Sequence, residues 1–139
     1  MGRVFSKILF LALFATSAAM LANAQISVPK LTLPFEFWVV DQTFPAGTYD
    51  LKQENPNTKL TIRGNKGGAG IFATVNLPPK GVFEKDKTWL VFRKYGEKYF
   101  LTEVWSKKLG VQFPVGTEEK RLKESGVEPV QLTVNVKQK

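Results

Sequence analysis

Four carboxylates are the residues of this chain whose type and placement could support catalysis. They lie in or beside predicted strands and are Glu36, Asp41, Asp50 and Glu103. Two acids about 5–10 Å apart can cleave a glycosidic bond, one as the acid and the other as the base or nucleophile. Glu103 is the leading catalytic candidate, because it stands between Leu101 and Trp105 on one apolar strand face. The competing interpretation is an ion pair with Arg93 or Lys94 across a hairpin, the ordinary role of a carboxylate near basic residues.

Other kinds of catalytic site have little support in the sequence. The chain has no histidine and no cysteine, which removes the commonest general base, the commonest metal ligand and thiol chemistry. Ser27-Val28-Pro29-Lys30 has a Ser-x-x-Lys spacing, but Pro29 disfavours the helical turn that would bring the lysine back onto the serine. The glycine-rich run 64–70 carries its lysine early rather than before a serine or threonine, so it predicts a hairpin connection and not a phosphate loop. We therefore expect no metal and no cofactor.

Aromatic side chains on strands provide a binding hypothesis. Large rings lie on predicted strands or at their ends: Trp38, Trp89, Tyr95, Tyr99 and Trp105. Such rings can stack on sugars, or on bases when cations lie nearby, although in a domain this small most of them should fill the core. Tyr95 is beside a predicted turn and next to Arg93 and Lys94. We expect Tyr95 to be an exposed ring and these three residues to form a binding site.

Alternating apolar residues predict the strands that position these groups. The predicted inward faces are Leu33, Phe35, Phe37 and Val39; Tyr49 and Leu51; Leu60 and Ile62; Ile71, Ala73, Val75 and Leu77; and Val130, Leu132, Val134 and Val136. The strongest signal is a hairpin from Trp89 to Trp105 that turns at Tyr95-Gly96-Glu97. Both faces of this hairpin are largely apolar, which indicates that both are covered.

One helix is predicted, between Gly116 and Gly126. Thr117 could cap it, acidic residues occupy its first turn and basic residues follow, which suits the helix dipole. Leu122 is its one apolar contact, so we expect a short surface helix. About seven strands and this helix predict an all-β domain, either a single small barrel or a sandwich.

The N-terminal residues are organised like a secretory signal peptide. Arg3 and Lys7 precede an apolar run that continues to about Leu21, and Ala22-Asn23-Ala24 offers small residues at the positions that signal peptidase reads. The apolar run is shorter than the ~20 residues that span a bilayer comfortably. We therefore predict a cleaved signal peptide at 1–24 and a single β-rich domain at 25–139, secreted or periplasmic, with no membrane span in the mature chain.

The predicted mature chain is basic. The full sequence has 20 Lys plus Arg and 12 Asp plus Glu, so removing Arg3 and Lys7 leaves 18 against 12 and a net charge of +6. A positive surface can bind anionic polysaccharide, lipid head groups or nucleic acid. Because the basic residues are interspersed with acidic ones, a merely solvated surface is the competing interpretation. We do not expect a nucleic acid partner.

Three segments carry a resemblance to other proteins. They are Leu33-Pro34-Phe35-Glu36-Phe37, Phe44-Pro45-Ala46-Gly47-Thr48-Tyr49 and Tyr95-Gly96-Glu97-Lys98-Tyr99-Phe100-Leu101-Thr102-Glu103-Val104-Trp105. The chain resembles, over most of its predicted mature domain, a functionally uncharacterised group of small exported β-rich proteins of environmental bacteria. The resemblance implies a compact exported β-domain and transfers no function.

Export, positive charge, aromatic strands and the lack of a catalytic motif together predict a non-catalytic binding or structural module of the bacterial cell envelope. Its expected partner is an envelope glycan, an anionic polymer or another envelope protein. The alternative function is a small polysaccharide hydrolase or lyase that uses Glu103. Enzymatic activity is the less favoured of the two.

Overall fold

The computed structural model describes residues 26–55, 59–77, 87–106 and 109–137. The predicted signal peptide and its cleavage site lie outside these ranges. The described chain is mainly β-strand, with one short helix. No helix within these four ranges is long and apolar enough to cross a membrane.

In the described ranges, eleven strands form two sheets, and one helix lies outside the sheets. The elements are β1 (Ile26–Leu33), β2 (Phe37–Val39), β3 (Gln42–Phe44), β4 (Gly47–Asn55), β5 (Lys59–Gly64), β6 (Ala69–Ala73), β7 (Val75–Asn76), β8 (Lys87–Tyr95), β9 (Lys98–Trp105), β10 (Gly110–Gln112), α1 (Thr117–Glu124) and β11 (Val130–Lys137). A four-stranded sheet has the order β1-β4-β5-β6. A seven-stranded sheet has the order β11-β8-β9-β10-β7, and in it β2 pairs with both β9 and β3.

The two sheets pack face to face as a sandwich, with aromatic rings between them. Phe37 of β2 is 1% exposed, and its ring centroid lies 5.3 Å from Phe44, 5.1 Å from Tyr49 and 6.0 Å from Phe92. The ring of Phe44 lies 6.0 Å from that of Phe72. Tyr49 and Phe72 belong to the four-stranded sheet and the other three to the seven-stranded sheet. These contacts hold the sheets together in a chain that has no disulfide.

Both predicted hairpins are confirmed. In the central hairpin Trp89 of β8 lies opposite Trp105 of β9, and the turn places Gly96 at φ 60°. The glycine-rich run joins β5 to β6, which pair antiparallel, and Gly67 and Gly68 adopt φ values of 98° and 86°. Glycine accepts these angles without a steric penalty, which explains its use in the connection.

The strand count exceeds the predicted seven partly because two predicted strands divide between the sheets. The segment 33–40 contains the end of β1, a bend and β2, and Phe35 lies in the bend, half-buried. The segment 71–77 likewise divides into β6 and β7, which belong to different sheets. A chain that crosses from one layer of a sandwich to the other keeps its apolar alternation, so the pattern alone does not reveal the crossing.

The inward face predicted for 71–77 is wrong. Ile71 is 68% exposed and Val75 is 61% exposed, whereas Phe72 and Thr74 are buried. Phe72 pairs with Leu60 of β5 and therefore lies on its buried face, whereas Ile71 pairs with Thr61 on the outer face. Opposite residues of paired strands share a face, so the neighbouring strand decided which side of β6 faces inward.

The helix occupies the predicted segment, but its contacts differ from the prediction. Its N-cap is Gly116, with no side-chain cap from within the segment. The carboxylate of Asp41 instead accepts a hydrogen bond from the backbone N–H of Thr117 at 2.7 Å. Glu119 is the buried residue of the helix, and Leu122 is half-buried. The expected cap at Thr117 is therefore wrong, because Asp41 of a distant segment caps the helix. The buried residue of α1 is the polar Glu119, which the prediction did not include.

The last strand is confirmed as a partly buried element. Leu132, Val134 and Val136 are half-buried and pack against the core, while Val130 is 66% exposed. β11 pairs with β8 along its whole length, from Val130 opposite Lys94 to Lys137 opposite Lys87.

Candidate functional site

Tyr95 is buried, so the prediction that its ring is exposed is wrong. It is 3% exposed, its hydroxyl donates to Glu119 Oε1 at 3.1 Å, and its ring meets Phe100 edge-on at 5.6 Å. Burial, and then the nearby Glu119 carboxylate, raise the pKa of Tyr95. The helix that covers Tyr95 comes from a segment more than twenty residues later, which the local sequence around the turn could not show.

Arg93 and Lys94 also have contacts within the protein. The Arg93 guanidinium donates to Glu119 Oε1 at 3.0 Å. The Lys94 ammonium lies 5.2 Å from the centre of the Tyr99 ring, which stacks on Phe35 at 4.1 Å. Arg93, Tyr95 and Glu119 form what we call the helix-docking cluster. Two of the three predicted binding residues, Arg93 and Tyr95, therefore contact Glu119 and position α1.

A second group of charges holds the outer side of the helix. Glu118 accepts hydrogen bonds from Arg121 at 2.7 and 3.0 Å and from Lys98 at 2.7 Å. These bonds lower the pKa of Glu118 to about 2, and the bonds from Arg121 have a larger effect than the bond from Lys98. The Lys98 ammonium also lies 5.5 Å from the centre of the Trp38 ring. The hairpin and the helix are thus linked through Lys98.

The low pKa of Glu118 predicts a pH dependence of stability. The folded-state pKa of about 2 is below the ordinary value of 4.5, so the stabilisation is complete above about pH 4.5 and is lost as the pH falls towards 2. NMR titration of the Glu118 carboxyl carbon should give a midpoint near 2 in the wild type and a higher midpoint in Arg121→Gln. Lys123→Gln, which removes a charge from the same helix, should leave the midpoint unchanged. A wild-type midpoint near 4.5 would contradict the assigned contacts.

The four candidate carboxylates have separate structural surroundings. Glu103 is half-buried and accepts a hydrogen bond from the Trp105 indole at 2.8 Å, so the expected partners Arg93 and Lys94 are replaced by its own strand neighbour. Asp41 caps α1, Glu36 lies exposed in the bend before β2, and Asp50 accepts from the backbone N–H of Lys30. Within the described ranges no group of three or more acidic side chains could hold a metal ion.

Asp50 belongs to a charged surface that the sequence did not single out. On the outer side of the four-stranded sheet, Asp50 pairs with Arg63 and Lys52 pairs with Thr61. Two adjoining concavities of about 200 and 410 Å³ open on this side and share Asp50 and Arg63 in their walls. Lys30 lines the larger one and Lys52 the smaller one. We call Lys30, Asp50, Lys52, Thr61 and Arg63 the basic face.

Strand alternation and one irregularity build the basic face. Tyr49 and Leu51 of β4 point into the core, which sends Asp50 and Lys52 outward. Lys30 reaches the same surface because the register of β1 against β4 shifts between Val28 and Leu31, where Lys30 has φ 57°. The hydrogen bond from the Lys30 backbone to Asp50, 3.0 Å long, holds this irregularity in place.

The Ser-x-x-Lys segment lies at this irregularity. Ser27 is exposed and pairs with Lys52 in an extended strand, so the helical turn that this catalytic spacing requires is not formed. The prediction that Pro29 disfavours this helical turn agrees with the extended geometry. Lys30 is instead one of three cations on the basic face, and the outward positions of paired strands are the sequence signal that could have found them.

Comparison of the chain with known protein families, with curated proteins and with solved structures found no match in any of the three.

Proposed function

We propose that this protein is an exported, non-catalytic module of the bacterial cell envelope that binds an anionic glycan polymer through the basic face. The observation that carries the proposal is the arrangement of Lys30, Lys52 and Arg63 around two adjoining concavities on one exposed sheet surface. Export rests on the predicted signal peptide. The proposed partner combines two of the expected classes, a glycan and an anionic polymer.

The chemistry of the basic face suits a polymer that carries regularly spaced carboxylates or sulfates. Arg63 can donate two parallel hydrogen bonds to such a group, and lysine ammonium groups add charge without demanding one geometry. Thr61 and Thr48 place hydroxyls at the walls of the same concavities, where they can bond to sugar hydroxyls. Asp50 is the one acidic residue among the lining residues, and its bond to the Lys30 backbone gives it a structural role.

Binding is favoured over hydrolysis because of the environment of Glu103. Its carboxylate already accepts a hydrogen bond from Trp105, and a glycosidase needs a second acid across the sugar from the first. The hydrolase or lyase alternative has its own test. Hydrolysis of a glycan that is lost in Glu103→Gln would replace the binding proposal with the catalytic one.

Polyanion binding is expected to depend on the charges of the basic face and on salt. Isothermal titration with polygalacturonate should show binding at low salt that weakens at about 0.15 M salt, where surface charges are screened beyond about 8 Å. The double variant Lys52→Gln, Arg63→Gln should bind at least about tenfold more weakly, because it removes two charge-assisted contacts. Neutral dextran of similar length should not bind.

The matched control removes the same number of charges elsewhere. Lys120 and Lys123 are exposed on α1, and Lys120→Gln, Lys123→Gln lowers the net charge as much as the first double variant does. If the two double variants weaken binding equally, the protein responds to net charge and the basic face is not the site. If polygalacturonate does not bind to the wild type even at low salt, the proposed class of partner is wrong.

A further inference from the structure

We infer that β11 pairs with β11 of a second copy of this chain, so that two seven-stranded sheets become one continuous sheet around a twofold axis. Among the described strands, β11 lies at the end of its sheet and pairs with β8 at all eight positions from Val130 to Lys137, without a shift of register. An edge strand that is long and regular presents a row of backbone donors and acceptors to another chain.

The other sheet edges in the described part of the chain are protected. β1 contains Pro29 and the register shift near Lys30, both of which disrupt pairing with a further strand. At β6, the Gln42 side chain donates to the Ala69 carbonyl at 2.8 Å. β3 and β7 have three and two residues. β11 is eight residues long and keeps its register against β8 throughout. Its residues 130–136 include no proline and no charge.

The sequence of β11 is complementary to itself in one antiparallel register. A twofold axis perpendicular to the sheet keeps the inner face of one copy continuous with the inner face of the other, so even-numbered residues must meet even-numbered ones. An axis at Thr133 places Val130 opposite Val136 of the second copy, and Leu132 opposite Val134. The outward residues then meet polar partners, with Gln131 opposite Asn135 and Thr133 opposite Thr133.

Burial and charge favour a second copy as the occupant. Leu132, Val134 and Val136 are only half-buried at the rim of the core, and Val130 is 66% exposed, so a second copy would extend the apolar layer over them. Basic proteins repel one another, but no charged side chains oppose each other along 130–136. Because the two strands are antiparallel, Glu128, which precedes β11 in one copy, lies towards the C-terminal end of β11 in the other copy, where Lys137 lies.

Charge substitutions at Thr133 test the pairing and its register. In sedimentation equilibrium, the purified wild-type protein should show a reversible monomer–dimer equilibrium. Thr133→Lys and Thr133→Glu should each weaken dimerisation at least about tenfold, because each places like charges directly opposite each other. An equimolar mixture of the two variants should dimerise again, since lysine then faces glutamate. Thr43→Lys, at an exposed position of β3, should dimerise like the wild type.

A cysteine substitution gives a second measurement that does not depend on charge. The chain has no cysteine, so Thr133→Cys should form a disulfide-linked dimer in oxidised glutathione. Thr43→Cys should dimerise without forming this disulfide, because Thr43 lies outside the paired strand. Three results would overturn the inference: a wild type that stays monomeric at all concentrations, a mixture of the charge variants that dimerises no better than either alone, or equal cross-linking at the two cysteine positions.

Discussion

Replacing Phe37 with alanine is expected to lower the free energy of unfolding by about 3–5 kcal/mol, the usual cost of removing a buried phenylalanine side chain. Phe37 is 1% exposed and its ring contacts Phe44, Tyr49 and Phe92. Because these neighbours come from both sheets, the cavity would open where the two layers meet, and rigid strands on both sides limit its collapse. Urea unfolding followed by tryptophan fluorescence measures the change.

The control for Phe37 is an apolar residue that the structure places on the surface. Ile71→Ala should change the free energy of unfolding by no more than about 0.5 kcal/mol, because Ile71 is 68% exposed. The comparison also tests the corrected face of β6, since the sequence pattern assigned Ile71 to the core. A loss of several kcal/mol in Ile71→Ala, with little loss in Phe37→Ala, would mean that the assigned core is wrong.

The Glu119→Ala substitution is expected to have the second-largest effect and to lower the free energy of unfolding by about 2–3 kcal/mol. Glu119 is 3% exposed and accepts hydrogen bonds from Arg93 and Tyr95 through one carboxylate oxygen. Its removal leaves the buried Tyr95 hydroxyl without this acceptor and the Arg93 guanidinium without its ion-pair partner. Arg93 is 31% exposed, so water can solvate its charge in part, and we expect less than the full cost of a broken buried ion pair.

The helix offers a matched control and a way to separate the two contacts of Glu119. Glu124→Ala removes an exposed carboxylate from the same helix and should change stability by no more than about 0.5 kcal/mol. A double-mutant cycle between Glu119→Ala and Tyr95→Phe should show coupling, because each substitution removes one partner of the same hydrogen bond. Additive effects would contradict the docking contact, as would equal losses in Glu119→Ala and Glu124→Ala.

The sequence predicted the fold class because alternation reports burial on one side of a strand. The central hairpin, the β5–β6 hairpin, α1 and the last strand all lie where the pattern placed them. Each is a local feature in which neighbouring residues decide the conformation. Glycine in the turns and apolar residues at every second position are sufficient for that.

The sequence pattern gave wrong predictions of burial where an element distant in the chain decides which side chains are covered. The inward face of β6 followed from its pairing with β5, and the burial of Tyr95 followed from the docking of α1. Asp41 caps a helix that lies 76 residues later in the chain. The basic face also depends on pairing, because Lys30, Lys52 and Arg63 come from three strands that are adjacent only in the folded sheet.

The sequence by itself therefore determined that the described chain is a small β-rich domain with one helix, since backbone geometry follows local apolar spacing and turn residues. The tertiary structure decided the division of the strands between two sheets, the sides that face the core and the residues left for binding. Arg93 and Tyr95 had the residue types of a binding site but became docking contacts. A polar side chain near a turn is available to a ligand only if no other part of the chain covers it, and that depends on long-range packing.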